Sequence, residues 1–291
     1  MFARFKQIFS SQNKDLRKRI LFTFFVLFIF KLGTTIIVPG IDKNSLGTDK
    51  LGFLQLVNIM GGGALEQFSI FALGVVPYIN ASIIVSLLQM DIIPYFSELG
   101  KQGEAGRAKL NQITRYMGIV LAFIQGFVLS KTFINNGSIM DCLSYALVLT
   151  AGTSLVIWMG DKITEKGIGN GISLIIMAGI VSSLPNMFVS LWSELVVNTS
   201  TQTLALGITK FLLFVLLYLV IMLGVVYIEI TERRIPIQYA NKSTSMYGKQ
   251  QSYIPFKLNS TGVMPVIFAS TIIAIPQTLA NFIKSEGYIK F

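Results

Sequence analysis

Gly61-Gly62-Gly63-Ala64-Leu65-Glu66-Gln67-Phe68-Ser69-Ile70-Phe71-Ala72-Leu73-Gly74-Val75-Val76-Pro77-Tyr78-Ile79 is an apolar stretch interrupted by glycine at both ends and by proline. A helix crossing a bilayer keeps its backbone hydrogen bonds to itself, and a broken backbone is tolerated at membrane depth only against protein or a water-filled cavity. Three consecutive glycines relax the chain, and Gly74 with Pro77 is expected to interrupt the helix that follows. Two explanations are open for these glycines. They let helices pack closely, as small residues commonly do in membranes, or they line a cavity. The incomplete crossing beside them favours the cavity.

Composition places the rest of the chain in lipid. Of 291 residues, 53% are hydrophobic and 13% charged, and the mean hydropathy is +0.65. Those values lie outside the range of a soluble domain. Seven runs approach or reach the roughly 17–25 residues a membrane helix needs: Ile20–Val38, Gly74–Met90, Ile113–Lys131, Cys142–Met159, Gly171–Phe188, Leu206–Ile228 and Gly262–Phe282. Between the first two lies the half-length piece Phe53–Leu73, read as re-entrant. The fold class is thus all-α and polytopic. The first run is too long for a cleavable signal peptide and has no small-residue cleavage site.

The net charge of +10 would suit nucleic acid, but its distribution suits membrane topology better. With the N-terminus in the cytoplasm, the inner segments hold seventeen basic residues and the outer ones five, Lys43, Lys50, Lys131, Lys284 and Lys290. That is the asymmetry of the positive-inside rule. Residues 1–19 set Phe2, Phe5 and Phe9 at helical spacing among Arg4, Lys6 and Lys14. They read as an amphipathic segment on the anionic cytoplasmic leaflet, or as a frayed basic tail.

Several chemistries are excluded or disfavoured. The chain has no histidine and one cysteine, Cys142, so it can build neither a His-based triad nor an internal disulfide. Gly152-Thr153-Ser154 is not a nucleophile elbow. Gly167-Ile168-Gly169-Asn170-Gly171 lacks the Gly-Lys-Ser/Thr ending of a phosphate loop and reads as a turn into the fifth span. No catalytic residue, metal site or cofactor is expected. Lys31 and Lys210 are the charges within or at the edge of spans, and both are expected to snorkel to an interface. Ion-coupled carriers keep carboxylates at mid-depth; none is placed there. The long inner connection, residues 229–257, carries Arg233 and Arg234 with Tyr239, Tyr247 and Tyr253. It is longer than a simple connection needs and reads as a docking surface for a large acidic partner.

The chain resembles the SecY family of protein-translocation channels. The resemblance is carried, in order, by Val38-Pro39-Gly40-Ile41-Asp42, by 61–82, by Gly103-Glu104-Ala105-Gly106-Arg107 with Thr114-Arg115-Tyr116, by 163–173, by Arg233-Arg234-Ile235 with Gln238-Tyr239-Ala240, and by 262–270. It implies a SecY-like translocon fold with seven of ten helices. The first half would take in 20–190 and the start of the second 206–291. The remaining helices would lie in a longer or a separate chain, so this portion alone should leave apolar faces unpartnered and should not seal. It implies a plug at about 53–70, including Gly61, Gly62, Gly63, Ala64 and Leu65. It implies a pore ring of Val75, Ile79, Ile172, Ile176 and Ile267. A lateral gate would use Asn80, Ser86, Thr271 and Ile275, with Ser86 where many relatives carry glutamine. Docking would use Arg233, Arg234 and Lys242, with Asn241 where relatives place a basic residue. The implied function is passage of unfolded secretory polypeptides and lateral release of signal sequences and hydrophobic segments into lipid. The implied partners are SecE, SecG, and the SecA motor or a ribosome. The implied location is the bacterial plasma membrane or, alternatively, the plastid thylakoid. A small-solute transporter with broken helices is the rival reading.

Overall fold

The computed structural model describes residues 14–39, 58–133, 138–197, 204–236, 253–259, 262 and 269. The elements run α1 (Lys14–Thr35), α2 (Val76–Leu87), a π-helical turn (Leu88–Ile92), α3 (Pro94–Lys101), α4 (Glu104–Phe133), α5 (Ile139–Lys166), α6 (Gly171–Trp192), a second π turn (Ser193–Val197), α7 (Leu204–Ile230), β1 (Glu232–Pro236) and β2 (Tyr253–Lys257). Six of the seven expected spans fall on helices, α1, α2, α4, α5, α6 and α7. The seventh, Gly262–Phe282, lies outside the described residues except for Gly262 and Ala269, as do residues 1–13 and positions 53–57. Among the described residues four helices are long and apolar enough to cross a membrane, α4 to α7 with the π turn after α6. The bent pair formed by α2 and α3, folded by 94°, makes up to five.

Local chemistry sets the helix ends. Pro77 stands in the first turn of α2, where its missing N–H costs nothing. The expectation that it interrupts this helix is therefore corrected: the proline starts it, and the break lies before Val76. The backbone N–H of Ser138 donates to Asp141 Oδ2 at 3.1 Å, tying the start of α5. At α6, Asn170 Oδ1 accepts from the N–H groups of Ile172 and Ser173 at 3.1 and 3.3 Å. The neighbouring N–H groups are also engaged, Ile168 with Thr23 Oγ1 at 3.2 Å and Gly171 with Thr164 Oγ1 at 2.8 Å. In the glycine run at 167–171 the N–H groups of Gly167, Ile168 and Gly171 are thus engaged with α5 and α1, as befits a turn packed between helices.

The described residues divide into two compact units that part at Pro185, inside α6. In the first unit α4 packs along both α2 and α5, and α1 along α5. Its apolar core is centred on the broken segment itself. Leu65, Phe68, Ala72 and Leu73 are buried together with Val38, Ala122, Leu129 and Leu149. In the second unit Phe188 and Trp192 meet α7 through edge-on contacts with Phe214, Tyr218 and Phe211. Gly207 is the one buried residue of α7, whose apolar surface lipid can solvate as well as protein does.

The inner connection is not wholly a loop. β1 and β2 pair antiparallel, with Glu232 opposite Lys257, Arg233 opposite Phe256 and Arg234 opposite Pro255. This exposed ribbon is the departure from an all-α expectation. Proline in both strands removes ladder donors, as an isolated two-stranded ribbon tolerates.

Candidate functional site

Residues 61–75 form no regular helix; they run as a chain of tight turns. Each turn closes on itself. Gly63 N–H donates to Asn58 O at 2.9 Å, Phe68 to Leu65 O at 3.0 Å, Ser69 to Ala64 O at 2.9 Å, Ala72 to Ser69 O at 2.9 Å and Gly74 to Phe71 O at 2.8 Å. A single antiparallel bridge joins Ile37 to Ser69. It is sealed by Val38 N–H to Phe68 O at 3.1 Å and Ile70 N–H to Ile36 O at 3.0 Å. The broken backbone is therefore satisfied inside protein, which is what membrane depth demands of it. Gly62, Gly63 and Gly74 take positive φ, at 71°, 82° and 54°. Phe68 also has φ +46°, a conformation costing a side-chain-bearing residue about 1–2 kcal/mol. Its complete burial offsets that strain.

Three helices hold the segment through glycine. A Cβ at Gly33 of α1 would overlap the Phe71 ring, one at Gly152 of α5 the Ile70 carbonyl, and one at Gly179 of α6 the Met60 carbonyl. Phe30 stacks on Phe71 with ring centroids 6.0 Å apart and planes 8° off parallel. The close-packing explanation of small residues thus holds for the helices facing the segment.

Within the segment, Gly61, Ala64 and Leu65 are buried and Gly62 and Gly63 partly so. Val75 and Ile79 are buried at the start of α2, one turn apart, and Ile79 N–H donates to Val75 O at 3.1 Å. Ile172 and Ile176 sit one turn apart on α6, each partly exposed, beside the fully buried Ile175. Ile267 lies outside the described residues. Asn80 is buried on α2. Ser86 is exposed, and its hydroxyl donates to the Ser82 carbonyl at 2.8 Å, so it is already engaged within its own helix. Thr271, Ile275 and Lys242 lie outside the described residues. Arg233 and Arg234 stand side by side on β1 and therefore on opposite faces of the ribbon. The Arg234 guanidinium lies 4.8 Å from the centre of the Tyr253 ring, a cation–π distance.

Two polar links escaped sequence reasoning. Arg115 of α4 and Asp161 of α5 form an ion pair at 2.8 Å; α5 runs past the expected end at Met159 and so carries Asp161 within it. Lys31, expected to reach an interface, is exposed on α1 and also makes polar contacts within the protein. Its ammonium donates to Ser182 Oγ of α6 at 3.1 Å and reaches the Gly62 carbonyl at 3.5 Å. Partners 31 and 151 residues away leave no local signal in the chain.

Known proteins share this architecture. The SecY family model matches residues 69–290. The protein translocase subunit SecY of Staphylococcus aureus strain NCTC 8325 is 47% identical over 288 residues, covering 95% of this chain and 66% of that protein. That of Staphylococcus epidermidis strain RP62A is 44% identical over 293 residues, 97% of this chain and 67% of that protein. The chain thus spans about two-thirds of the length of these relatives. Among solved structures, a SecY whose plug domain stabilises the closed state of the translocation channel and maintains a membrane seal superposes with TM-score 0.65. Its sequence identity is 19%, over 94% of this chain and 59% of that one. Sec61 in the canine ribosome–channel complex from the endoplasmic reticulum gives TM-score 0.62 at 19% identity, over 94% and 60%. At such identities these structures speak for the fold alone. A core built around a glycine-broken segment, the helix order on either side of it and a family match over three-quarters of the sequence agree: this chain belongs to the SecY family.

Proposed function

We propose that this chain is the N-terminal part of a protein-conducting channel, which passes unfolded secretory polypeptides across a membrane and releases hydrophobic segments sideways into lipid. The observation that carries this reading is the run of turns at 61–75, mostly buried, approached by glycines of α1, α5 and α6 and leading directly into Val75 and α2 with Ile79. A segment closed largely by its own turns, approached by glycines and tied to residues 36 and 38 by two backbone hydrogen bonds, can leave without unravelling a helix. Its first part belongs to the plug, at about 53–70, and Val75, Ile79, Ile172, Ile176 and Ile267 form the ring above the plug. Aliphatic rings dewet when closed and give way to a passing chain without binding it tightly. Asn80, Ser86, Thr271 and Ile275 border the lateral exit.

The channel is non-enzymatic, and its driving force comes from a partner. The SecA motor or a translating ribosome docks on the inner ribbon and loop through Arg233, Arg234 and Lys242, and SecE and SecG complete the assembly. Its location is the bacterial plasma membrane, with the N-terminus in the cytoplasm, a reading supported by the uneven distribution of Lys and Arg between alternate connections. Those segments also meet the anionic lipids of that leaflet.

Cysteines at Ile79 and at Thr271 test this directly. In the assembled channel, a stalled secretory precursor is expected to crosslink to both. Absence of crosslinks at Ile79, with the precursor demonstrably engaged, rejects the pore assignment.

A further inference from the structure

Lys31 brings together three elements that are remote in sequence. Its ammonium lies 3.1 Å from Ser182 Oγ on α6 and 3.5 Å from the Gly62 carbonyl in the broken segment. Ser182 passes its own proton on, donating to the Gly179 carbonyl at 3.0 Å. The meeting is enforced by backbone. Gly62 has φ +71°, and a Cβ on it would lie 2.8 Å from Ser182 Oγ and 3.2 Å from Gly179 Cα. On α1, Phe30 and Gly33 flank Lys31 and grip Phe71 of the same segment.

We infer that Lys31 is the positioning residue that latches the glycine turn of the plug onto α6 and so holds the channel in its closed state. This rests on the functional reading above. An ammonium carries three donors and no acceptor, and on an apolar helix it is costly unless those donors are met. With the segment docked, two acceptors are present, one of them supplied by the segment itself. Departure of the segment removes the Gly62 carbonyl, so Lys31, an exposed residue of α1, loses one of its two protein acceptors. The ammonium therefore favours the docked arrangement, as any group does that binds one of two states better. Its acceptors are neutral oxygens, and among the described salt bridges Lys31 has no carboxylate. The hold is correspondingly reversible, which suits a segment that must move.

The test uses the assembled channel in liposomes with Lys31→Met, Lys31→Arg and Ser182→Ala. One readout is resting ion leak without precursor. The other is the rate at which a thiol reagent labels Ala64→Cys, a position with no exposure in the docked segment. Lys31→Met is expected to raise both by about tenfold, the equivalent of one charge-assisted hydrogen bond. Lys31→Arg, which keeps the donors, restores values near wild type, and Ser182→Ala falls between. Labelling and leak at wild-type levels in both Lys31→Met and Ser182→Ala overturn the latch, as does an arginine variant as open as the methionine one. If Lys31→Met does not assemble, Ser182→Ala decides by the same readouts. A wild-type channel that passes no precursor rejects the functional reading, whereas the labelling rate of Ala64→Cys still reports on the latch.

Discussion

The Arg115 guanidinium of α4 lies 2.8 Å from the Asp161 carboxylate of α5, joining two long helices that also approach closely where Gly126 faces Ala146. Both side chains are partly exposed, and pairs of that kind contribute about 0.2–1 kcal/mol. Arg115→Gln and Asp161→Asn are each expected to lower thermal stability in detergent slightly. The double variant should lose less than the sum of the two. Additive losses in a double-mutant cycle would show that the two charges are not coupled.

Gly179→Val places methyl groups where the Met60 carbonyl now lies. Overpacking of that kind costs about 1–3 kcal/mol, and here it should push residues 58–63 off α6. The expected outcome is a lower unfolding temperature together with a raised resting leak. Gly224→Ala on α7 is the control, since a Cβ there meets nothing within 4 Å. It should be neutral or gain up to about 1 kcal/mol from helix propensity.

The proposed ring residues predict a leak of a different origin. Ile79→Gly with Ile176→Gly removes aliphatic bulk from two helices and should raise ion conductance of the complete channel severalfold. Translocation of precursor should continue, because the ring seals without driving. Conductance unchanged from wild type would remove these two positions from the constriction.

Arg233 and Arg234 are neighbours in sequence but face opposite sides of the β1–β2 ribbon, and Arg234 also rests on Tyr253. A single partner surface therefore meets one of them more than the other. Arg233→Glu and Arg234→Glu are expected to weaken ribosome or SecA binding by clearly different factors in a pelleting assay across salt concentrations. Equal losses would mean that the partner wraps both faces.

Cys142 is buried on α5. Native channel should react with maleimide far more slowly at this thiol than denatured channel does, since access and thiolate character both govern the rate. Rapid labelling of the native protein would place the start of α5 in solvent.

What the sequence determined by itself is whatever depends on solvation and on nearest neighbours along the chain. Apolar runs of membrane length had to become helices, and six of them did. The glycines at 61–63 and 74 had to mark a break, because each of the last three adopts a backbone that other residues resist. The glycine run at 167–171 had to be a turn into the next span, and the structure has Asn170 capping that helix. Only the tertiary structure decided which side of the break Pro77 serves, that Phe68 is held left-handed by its burial, and that Gly33, Gly152 and Gly179 grip one short segment from three helices. It alone paired Arg115 with Asp161 and Lys31 with Ser182, and folded β1 against β2. The division has one physical cause. Lipid rewards an apolar surface wherever it points, so hydropathy writes out the spans, while the choice among helix faces rests on close contacts between residues that are distant in the chain.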